Sequence, residues 1–114
     1  MVDAKLAKHR IHETVNCVPL GYVVSYGQLA DLAGLPGRAR MVGKLLSSDE
    51  STPLPWHRVL RADGKIAFPP ASHFAQLQRD KLQEEGVAVI NFGVNMRMFQ
   101  WQPDLAELLH RLKF

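Results

Sequence analysis

Cys17 is the one cysteine in the chain, and a cysteine thiolate is the side chain best suited to attack an electrophilic carbon. Cys17 is predicted at the C-terminal end of a helix, where the helix dipole disfavours negative charge. His9 and His12 lie one or two turns back and are poorly aimed to activate it. We therefore interpret Cys17 as an incidental thiol. A single cysteine cannot form an internal disulfide. A chain without disulfides is typical of a protein in a reducing compartment.

The sequence lacks the usual motifs for metal, phosphate or membrane binding. Its five histidines show no spacing typical of a metal site. Gly34-x-x-Gly37 has neither the preceding strand nor the lysine that a phosphate-binding loop needs. No apolar run approaches the roughly 18 residues of a membrane span. We expect neither a metal nor a cofactor, and no membrane partner.

The chain of 114 residues has a formal net charge of +3, and the whole excess lies in one segment. Residues 38–65 contain six basic and three acidic residues, whereas the rest of the chain contains eight of each. A local excess of positive charge is typical of a surface that binds a polyanion such as DNA. The length fits one domain, and the hydrophobic content of 46% is ordinary for a globular core.

Two short predicted helices lie where this charge begins. The first opens with the capping-box spacing of Ser25 and Gln28 and closes at Gly34, and the second covers residues 38–46. A turn of about three residues separates them, as in a helix-turn-helix, although an ordinary corner of two helices has the same spacing. The second helix favours DNA binding because all of its charged residues are basic. They are Arg38, Arg40 and Lys44.

Other helices and strands are predicted around this pair. A helix over residues 3–18 ends at Pro19. Asp63-Gly64 predicts a hairpin between residues 58–60 and 65–68. Ser72 is expected to cap a helix ending at Glu85. Its inward-facing residues are predicted as Phe74, Leu77 and Leu82.

The C-terminal part of the chain is predicted as a second hairpin and a final helix. The hairpin pairs residues 87–90 with residues 96–101. The helix opens at Pro103-Asp104 and carries an apolar stripe. The stripe consists of Leu105, Leu108, Leu109 and Leu112. We expect it to pack on the core, with docking of a partner protein as the alternative.

These elements predict a small single α+β domain with a helix-turn-helix, winged-helix-like architecture. The DNA-binding domain covers residues 1–102, and residues 103–114 form a helical extension packed on it.

Pro55-Trp56-His57-Arg58-Val59 resembles a motif of the O6-alkylguanine-DNA alkyltransferase family, in which the repair enzymes read Pro-Cys-His-Arg-Val. The chain is most similar to the alkyltransferase-like members, which commonly carry tryptophan in place of the cysteine. The resemblance covers about residues 6–90, and several further motifs carry it in the same order. They are Pro19-x-Gly21, Val24-Ser25-Tyr26-Gly27-Gln28-Leu29-Ala30, Ala39-Arg40-x-Val42-Gly43 and Glu84-Glu85-Gly86.

The resemblance implies a role for each matching residue. Tyr26 resembles the residue that turns the 3′ phosphate and helps to rotate the nucleotide outward. Arg40 resembles the finger that fills the gap in the base stack. His57 and Glu85 match the pair that assists the enzymes' cysteine, and here they are a structural pair. The pocket for the extruded base would be lined by Trp56, His57, Arg58 and Val59, with Phe68 as its apolar closure.

Trp56 changes the chemistry that this pocket can do. An indole N–H only donates hydrogen bonds and has no anionic form near neutral pH, so Trp56 cannot accept an alkyl group as a thiolate does. It can stack on a base, an interaction worth about 1–3 kcal/mol. Trp56 could also be an ordinary core tryptophan, and Arg40 one of several solvated cations.

The sequence departs from the family pattern at two places. The Arg-Gly-Asn-like segment after the recognition helix is replaced by Ser47-Ser48-Asp49. Some alkyltransferase-like proteins place a basic residue after the hairpin, where this chain has Phe68-Pro69-Pro70. The N-terminal domain found in many of the enzymes is not part of this sequence.

The resemblance implies a non-enzymatic protein that binds O6-alkylguanine in double-stranded DNA, flips the base and flags it for nucleotide excision repair proteins. We expect a cytoplasmic monomer, associated with the nucleoid in a bacterium or located in the nucleus of a eukaryote. Two alternatives remain open. One is a winged-helix transcription regulator that reads undamaged DNA, and the other is an active methyltransferase that uses Cys17.

Overall fold

The first helix follows the pattern expected from the sequence. A computed structural model describes residues 3–47 and 53–112. In it, α1 covers Ala4–Cys17, and the carboxylate of Asp3 caps it by accepting a hydrogen bond from the Leu6 N–H at 2.7 Å. The α1 side chains at four-residue spacing, Ala7, Ile11 and Val15, are fully buried. The prediction of this helix is confirmed.

The predicted helix pair is also confirmed, with α2 at Tyr26–Leu32 and α3 at Ala39–Ser47. The Ser25 hydroxyl caps α2 by accepting from the Gln28 N–H at 3.0 Å. The Gln28 side chain does not complete the capping box. Its Nε2 instead donates to the Trp101 carbonyl at 2.7 Å, which ties α2 to the distant C-terminal segment.

Two short parallel strands join the halves of the chain. Strand β1, Val24–Ser25, pairs with β2, Val59–Leu60, with Val24 opposite Val59. The predicted hairpin between residues 58–60 and 65–68 does not form as a pair of strands, although a hydrogen bond across its turn does form, from the Arg61 N–H to the Lys65 carbonyl at 2.9 Å.

A turn does form at Asp63-Gly64, where the Gly64 N–H donates to the Arg61 carbonyl at 2.9 Å. Beyond it, the Ile66 N–H donates to the Phe92 carbonyl, also at 2.9 Å. The second arm of the predicted hairpin thus pairs with residues 92–94 rather than with β2, which has β1 as its partner.

Helix α4 covers His73–Glu84, and the Ser72 hydroxyl caps it as predicted. Leu82 is fully buried and Leu77 is half-buried, but Phe74 is 53% exposed instead of facing the core. Phe74 lies in the first turn, where its ring packs on other aromatic side chains at the edge of the domain.

The second predicted hairpin is wrong, because residues 96–99 form a helix. Helix α5, Met96–Phe99, is capped by the Asn95 side chain, which accepts from the Arg97 N–H at 3.0 Å. This local cap competes successfully with strand pairing. What remains of the hairpin is a tight bridge between Ile90 and Gly93.

The side chains of the paired strands alternate between two hydrophobic cores. Val24 and Val59 belong to the first core, together with α1, α2 and α3. Leu60, and Val23 directly before β1, belong to the second core, beneath α4 and the segment that follows it. Alternate residues of a strand point to opposite faces, so the strand pair forms the wall between the two cores. The α+β fold class is confirmed.

The last helix, α6, covers Leu105–Arg111 and is capped by Asp104. Leu108 packs against the first core, and Leu112 is half-buried. Leu105 and Leu109 are 70% and 73% exposed. The predicted packing on the core therefore holds for only part of the apolar stripe.

Within the described residues, no helix combines the length and apolarity that crossing a membrane requires.

Candidate nucleic-acid interface

The basic side chains of the helix pair lie on an exposed surface. Arg38 immediately precedes α3, Arg40 lies in its first turn and Lys44 lies one turn later, and all three residues are exposed. Residues four apart share one face of a helix, so Arg40 and Lys44 point the same way. This arrangement presents positive charge to an approaching polyanion.

Tyr26 lies where α2 meets α3. Its ring faces Gly43 of α3, where an added Cβ would lie 3.8 Å from Tyr26 Cε1, an ordinary van der Waals distance. Tyr26 is half-buried against the first core, and this burial raises the pKa of its hydroxyl. The hydroxyl therefore stays protonated near neutral pH and can donate a hydrogen bond to a phosphate oxygen.

The Pro55-to-Val59 motif forms a single 3-10 turn, Trp56–Arg58, that runs directly into β2. Trp56 is half-buried, and its ring makes edge contacts with three other rings. The centroid distances are 6.3 Å to His57, 6.1 Å to Phe68 and 6.3 Å to Phe74. Trp56 therefore contacts a group of rings and also packs against the first core.

Glu85, directly after α4, joins the two polar residues of the turn. One of its oxygens lies 2.8 Å from His57 Nε2 and 2.7 Å from Arg58 Nε. Arg58 also donates to the Val18 carbonyl at 2.8 Å through Nη1, which ties the turn to the end of α1. The three side chains are only 12%, 15% and 10% exposed for His57, Arg58 and Glu85. The predicted structural pair of His57 and Glu85 is thus a network with a third member.

The charge states of this network follow from burial and hydrogen bonding. Burial lowers the pKa of His57 and outweighs the opposing effect of Glu85. Burial acts to raise the pKa of Glu85, but hydrogen bonds from Arg58 and His57 bring that pKa below its ordinary value. At neutral pH the histidine is therefore neutral and the glutamate is ionised. A carboxylate only accepts hydrogen bonds, so His57 carries its proton on Nε2 and leaves Nδ1 as an acceptor.

Gln78 supports the same turn and was not among the residues predicted for the site. It is fully buried in α4, and its Nε2 donates to the carbonyls of His57 at 3.0 Å and Val59 at 2.9 Å. A sequence signal for it exists, because position 78 shares a helical face with Ala75 and Leu82. A polar residue at a core position of a helix indicates a buried hydrogen-bonding partner.

The structure brings most of the predicted pocket residues together. Trp56, His57 and Arg58 share one turn, and Phe68 contacts Trp56. Val59 is the exception, since its side chain is fully buried in the first core and does not line an open surface.

Cys17 lies elsewhere, at the end of α1, with its Sγ 3.2 Å from the carbonyl oxygen of Arg111, the residue that ends α6. In residues 3–47 and 53–112, no three histidine, cysteine or acidic side chains lie close enough together to hold a metal ion. Ser48 and Asp49, where the sequence departs from the family pattern, lie outside the described residues.

Residues 7–87 match the family described as the DNA-binding domain of 6-O-methylguanine DNA methyltransferase. A DNA base-flipping protein of Vibrio parahaemolyticus is 38% identical over 96 residues, which cover 82% of this chain and 94% of that protein. Alkyltransferase-like protein 1 of Schizosaccharomyces pombe is 33% identical over 100 residues, covering 82% of this chain and 93% of the relative.

The fold has a similar counterpart among solved structures. It is S. pombe Atl1 in complex with damaged DNA containing O6-carboxymethylguanine, which superposes with a TM-score of 0.82 at 30% sequence identity. The superposition covers 90% of this chain and 100% of that one. Residues 7–87, which the family model matches, include both the helix pair and the 3-10 turn.

Proposed function

Since this chain belongs to the 6-O-methylguanine DNA methyltransferase DNA-binding family, we propose that it binds O6-alkylguanine in duplex DNA and does not repair it. One observation carries the proposal. Trp56 stands between Pro55 and His57, where the family resemblance places the enzymes' acceptor cysteine, and His57 and Arg58 beside it are hydrogen-bonded to Glu85. The chain thus keeps the architecture of the site and lacks a nucleophile at its centre.

Binding begins with charge on α3. The exposed Arg38 and Lys44 contact backbone phosphates, which supply affinity without sequence information. Tyr26 donates its protonated hydroxyl to the phosphate beside the target nucleotide. Arg40, in the first turn of α3, enters the base stack and fills the space that the extruded base leaves.

Damage favours extrusion. Flipping a base costs a few kcal/mol and costs least at a weakened pair. O6-alkylation removes the guanine N1 hydrogen and blocks normal pairing, so the lesion flips more readily than guanine does. The extruded base then stacks against Trp56, worth about 1–3 kcal/mol. Recognition is retained in this scheme, and alkyl transfer is lost.

The test compares two duplexes that differ at one base, O6-methylguanine or guanine, with the methyl group radiolabelled. We expect tighter binding to the lesion, with all of the label left in the DNA after long incubation. Label bound covalently to the protein and lost in Cys17→Ser would overturn the non-enzymatic function. Equal affinity for the two duplexes would instead favour a regulator of undamaged DNA.

The downstream steps form part of the same proposal. A protein that binds a lesion without removing it must pass it to another activity, and nucleotide excision repair is the pathway that the family resemblance suggests. We propose that the chain acts as a monomer, because one Arg40 and one pocket suffice for one flipped base. Sedimentation of the protein with lesion DNA checks the stoichiometry, and a two-to-one complex would contradict it.

A further inference from the structure

The segment that follows α5 lies at the outer side of the small sheet. The Val23 N–H donates to the Phe99 carbonyl at 2.9 Å, and the Trp101 N–H donates to the Val23 carbonyl at 2.8 Å. Through this parallel bridge, residues 99–101 extend the sheet beyond β1, which pairs with β2 through its next residue, Val24. We call residues 99–102 the strand edge.

The strand edge has backbone groups without partners on its outer side. Gln100 has an extended backbone, with φ −66° and ψ 130°, and Pro103 favours the same conformation at Gln102. Neighbouring residues of an extended strand direct their backbone polar groups to opposite sides. Because the Trp101 N–H faces β1, the Gln100 carbonyl and the Gln102 N–H face outward. Neither group forms a hydrogen bond within residues 3–47 and 53–112.

A cavity of about 420 Å³ opens beside the strand edge. Besides residues 100–102, its lining includes Pro19 and Tyr22 from the loop before β1 and Glu107 and Arg111 from α6. Tyr22 is 45% exposed, although it is a large aromatic residue. The side chains of Glu107 and Arg111 neutralise each other in an ion pair of 2.8 Å. The cavity therefore suits a neutral, apolar group.

Trp101 adds a second independent observation at the same cavity. Its ring packs in the first core and is only 3% exposed, and it also lines the cavity. Its indole N–H is buried and has no hydrogen-bond acceptor among the described residues. A buried donor without a partner is rare in folded proteins and calls for a specific explanation. A carbonyl oxygen on a bound chain supplies the acceptor that the domain itself lacks.

We propose that the strand edge and its cavity bind an extended segment of a partner protein by strand addition. The backbone of the segment pairs with the Gln100 carbonyl and the Gln102 N–H, and an apolar side chain enters the cavity against Tyr22. An extended peptide is the fitting occupant because the unpaired groups are backbone groups with the spacing of a strand. A helix satisfies its own backbone and cannot use them.

The experiment uses the protein without DNA and a phage library of random linear peptides as the probe. We expect the selected peptides to alternate β-branched or aromatic residues with polar ones, as strands do. Fluorescence anisotropy of a labelled synthetic copy measures its affinity. N-methylation at alternate residues of this peptide removes the donors that an added strand needs, and it should abolish binding, whereas methylation at the residues between them should not.

Amide exchange with water, measured by NMR, reports on strand addition directly. Saturating peptide should slow exchange of the Gln102 N–H by about tenfold or more, because the amide becomes hydrogen-bonded. The exposed Ala62 N–H also has no hydrogen-bond partner among the described residues, and it should exchange at an unchanged rate.

Variants of the protein assign the binding to the strand edge. Gln102→Pro removes the backbone donor and should weaken peptide binding about tenfold, whereas Gln102→Ala keeps the donor and should stay within about twofold. Trp101→Phe keeps a ring in the core but removes the indole N–H, and it should weaken binding a few-fold. Leu109→Ala, which truncates an exposed side chain of α6, is the control and should bind normally. Thermal melting checks that each variant is folded.

Several outcomes overturn the inference. They are a library that yields no binding peptide, peptides with helical spacing whose binding is lost in Leu109→Ala, and an unchanged exchange rate of the Gln102 N–H at saturation. Equal affinity of Gln102→Pro and Gln102→Ala does the same, and the N-methylated peptides decide the matter if Gln102→Pro does not fold. Because no DNA is present, none of these outcomes bears on the proposed function.

Discussion

The α2–α3 helix pair and the 3-10 turn with its surroundings contrast in how they hold their functional side chains. On α3, Arg40 and Lys44 are exposed and lie on one face of a helix that the residues around them form. On the turn, His57 and Arg58 are held by Glu85, which lies far along the chain at the end of α4. The contrast indicates that affinity resides on a locally formed surface, whereas selectivity depends on long-range packing.

Glu85→Ala is expected to lower the free energy of unfolding by disconnecting the turn from α4, and this is the largest effect predicted here. It leaves the Arg58 guanidinium buried without its carboxylate, and breaking a buried ion pair from one side costs about 3–5 kcal/mol. Urea-induced unfolding followed by tryptophan fluorescence measures the loss. The neighbouring exposed Glu84→Ala is the control and should change the free energy of unfolding by less than about 0.5 kcal/mol. Equal free energies of unfolding for the two variants would show that Glu85 does not link α4 to the turn.

Gln78→Leu tests the second support of the turn. The change leaves the carbonyls of His57 and Val59 without their donor, at a cost of about 2 kcal/mol in stability. Because the turn carries Trp56, preference for lesion DNA should fall along with stability. Gln76→Leu, on an exposed face of the same helix, is the matched control. Retention of full lesion preference in Gln78→Leu would show that the turn is positioned without it.

Arg40→Ala and Lys44→Ala form a pair that separates recognition from attraction on α3. Arg40→Ala should weaken lesion binding by about 1–3 kcal/mol and reduce the preference over guanine. Lys44→Ala should weaken binding to both duplexes alike and make the plot of log affinity against log salt shallower by about 0.9, the slope that one neutralised phosphate contributes. Arg40→Ala should not change the melting temperature appreciably, since Arg40 is exposed. Identical effects of the two changes on lesion preference would contradict insertion of Arg40.

The smallest expected effect is a dependence of the free energy of unfolding on pH, which arises from His57 and Glu85 at the turn. Burial lowers the pKa of His57, so on acidification the unfolded chain takes up this proton before the folded chain does. Stability is therefore complete above the ordinary histidine pKa and declines as pH falls below it. Glu85, whose folded pKa is also lowered, adds a further loss at lower pH.

His57→Gln should remove the first of these two losses and keep the second. The free energy of unfolding at pH 7.5 and pH 5.5 checks this, with His9→Gln, at an exposed position of α1, as the control. A wild-type protein whose stability rises on acidification from pH 7.5 to pH 5.5 would contradict the predicted direction of the pH dependence.

Features that depend on nearby residues could be predicted from the sequence. The caps at Ser25 and Ser72 were predicted because a hydroxyl three residues before a free backbone N–H satisfies it whatever the rest of the chain does. Helix α5 was missed although its signal is also local, since Asn95 was assigned to a turn between strands. The alternation of apolar residues over positions 96–101 fits a strand, but the Asn95 cap stabilises a helix instead.

Features that depend on distant residues could not be predicted in the same way. The Asp63-Gly64 turn is correctly located, but nothing in the sequence near β2 shows that its partner is β1. Within the site, Tyr26, His57 and Glu85 were assigned through the family resemblance and not through any periodic pattern. The helical face that Gln78 shares with Ala75 and Leu82 indicates that it is buried, but its partners are backbone carbonyls, which the sequence does not identify.

The bond between Gln28 and the Trp101 carbonyl joins residues 73 positions apart, and it has a consequence for how the protein is made. A ribosome releases the chain from its N-terminus, so α2 and α3 leave the exit tunnel long before Trp101 does. Contacts between residues so distant in sequence form late, because the intervening chain must first be ordered. During synthesis the basic helix pair is therefore present before the segment that completes its packing. A nascent chain should acquire attraction for nucleic acid first and discrimination between bases only after Trp101 has left the exit tunnel.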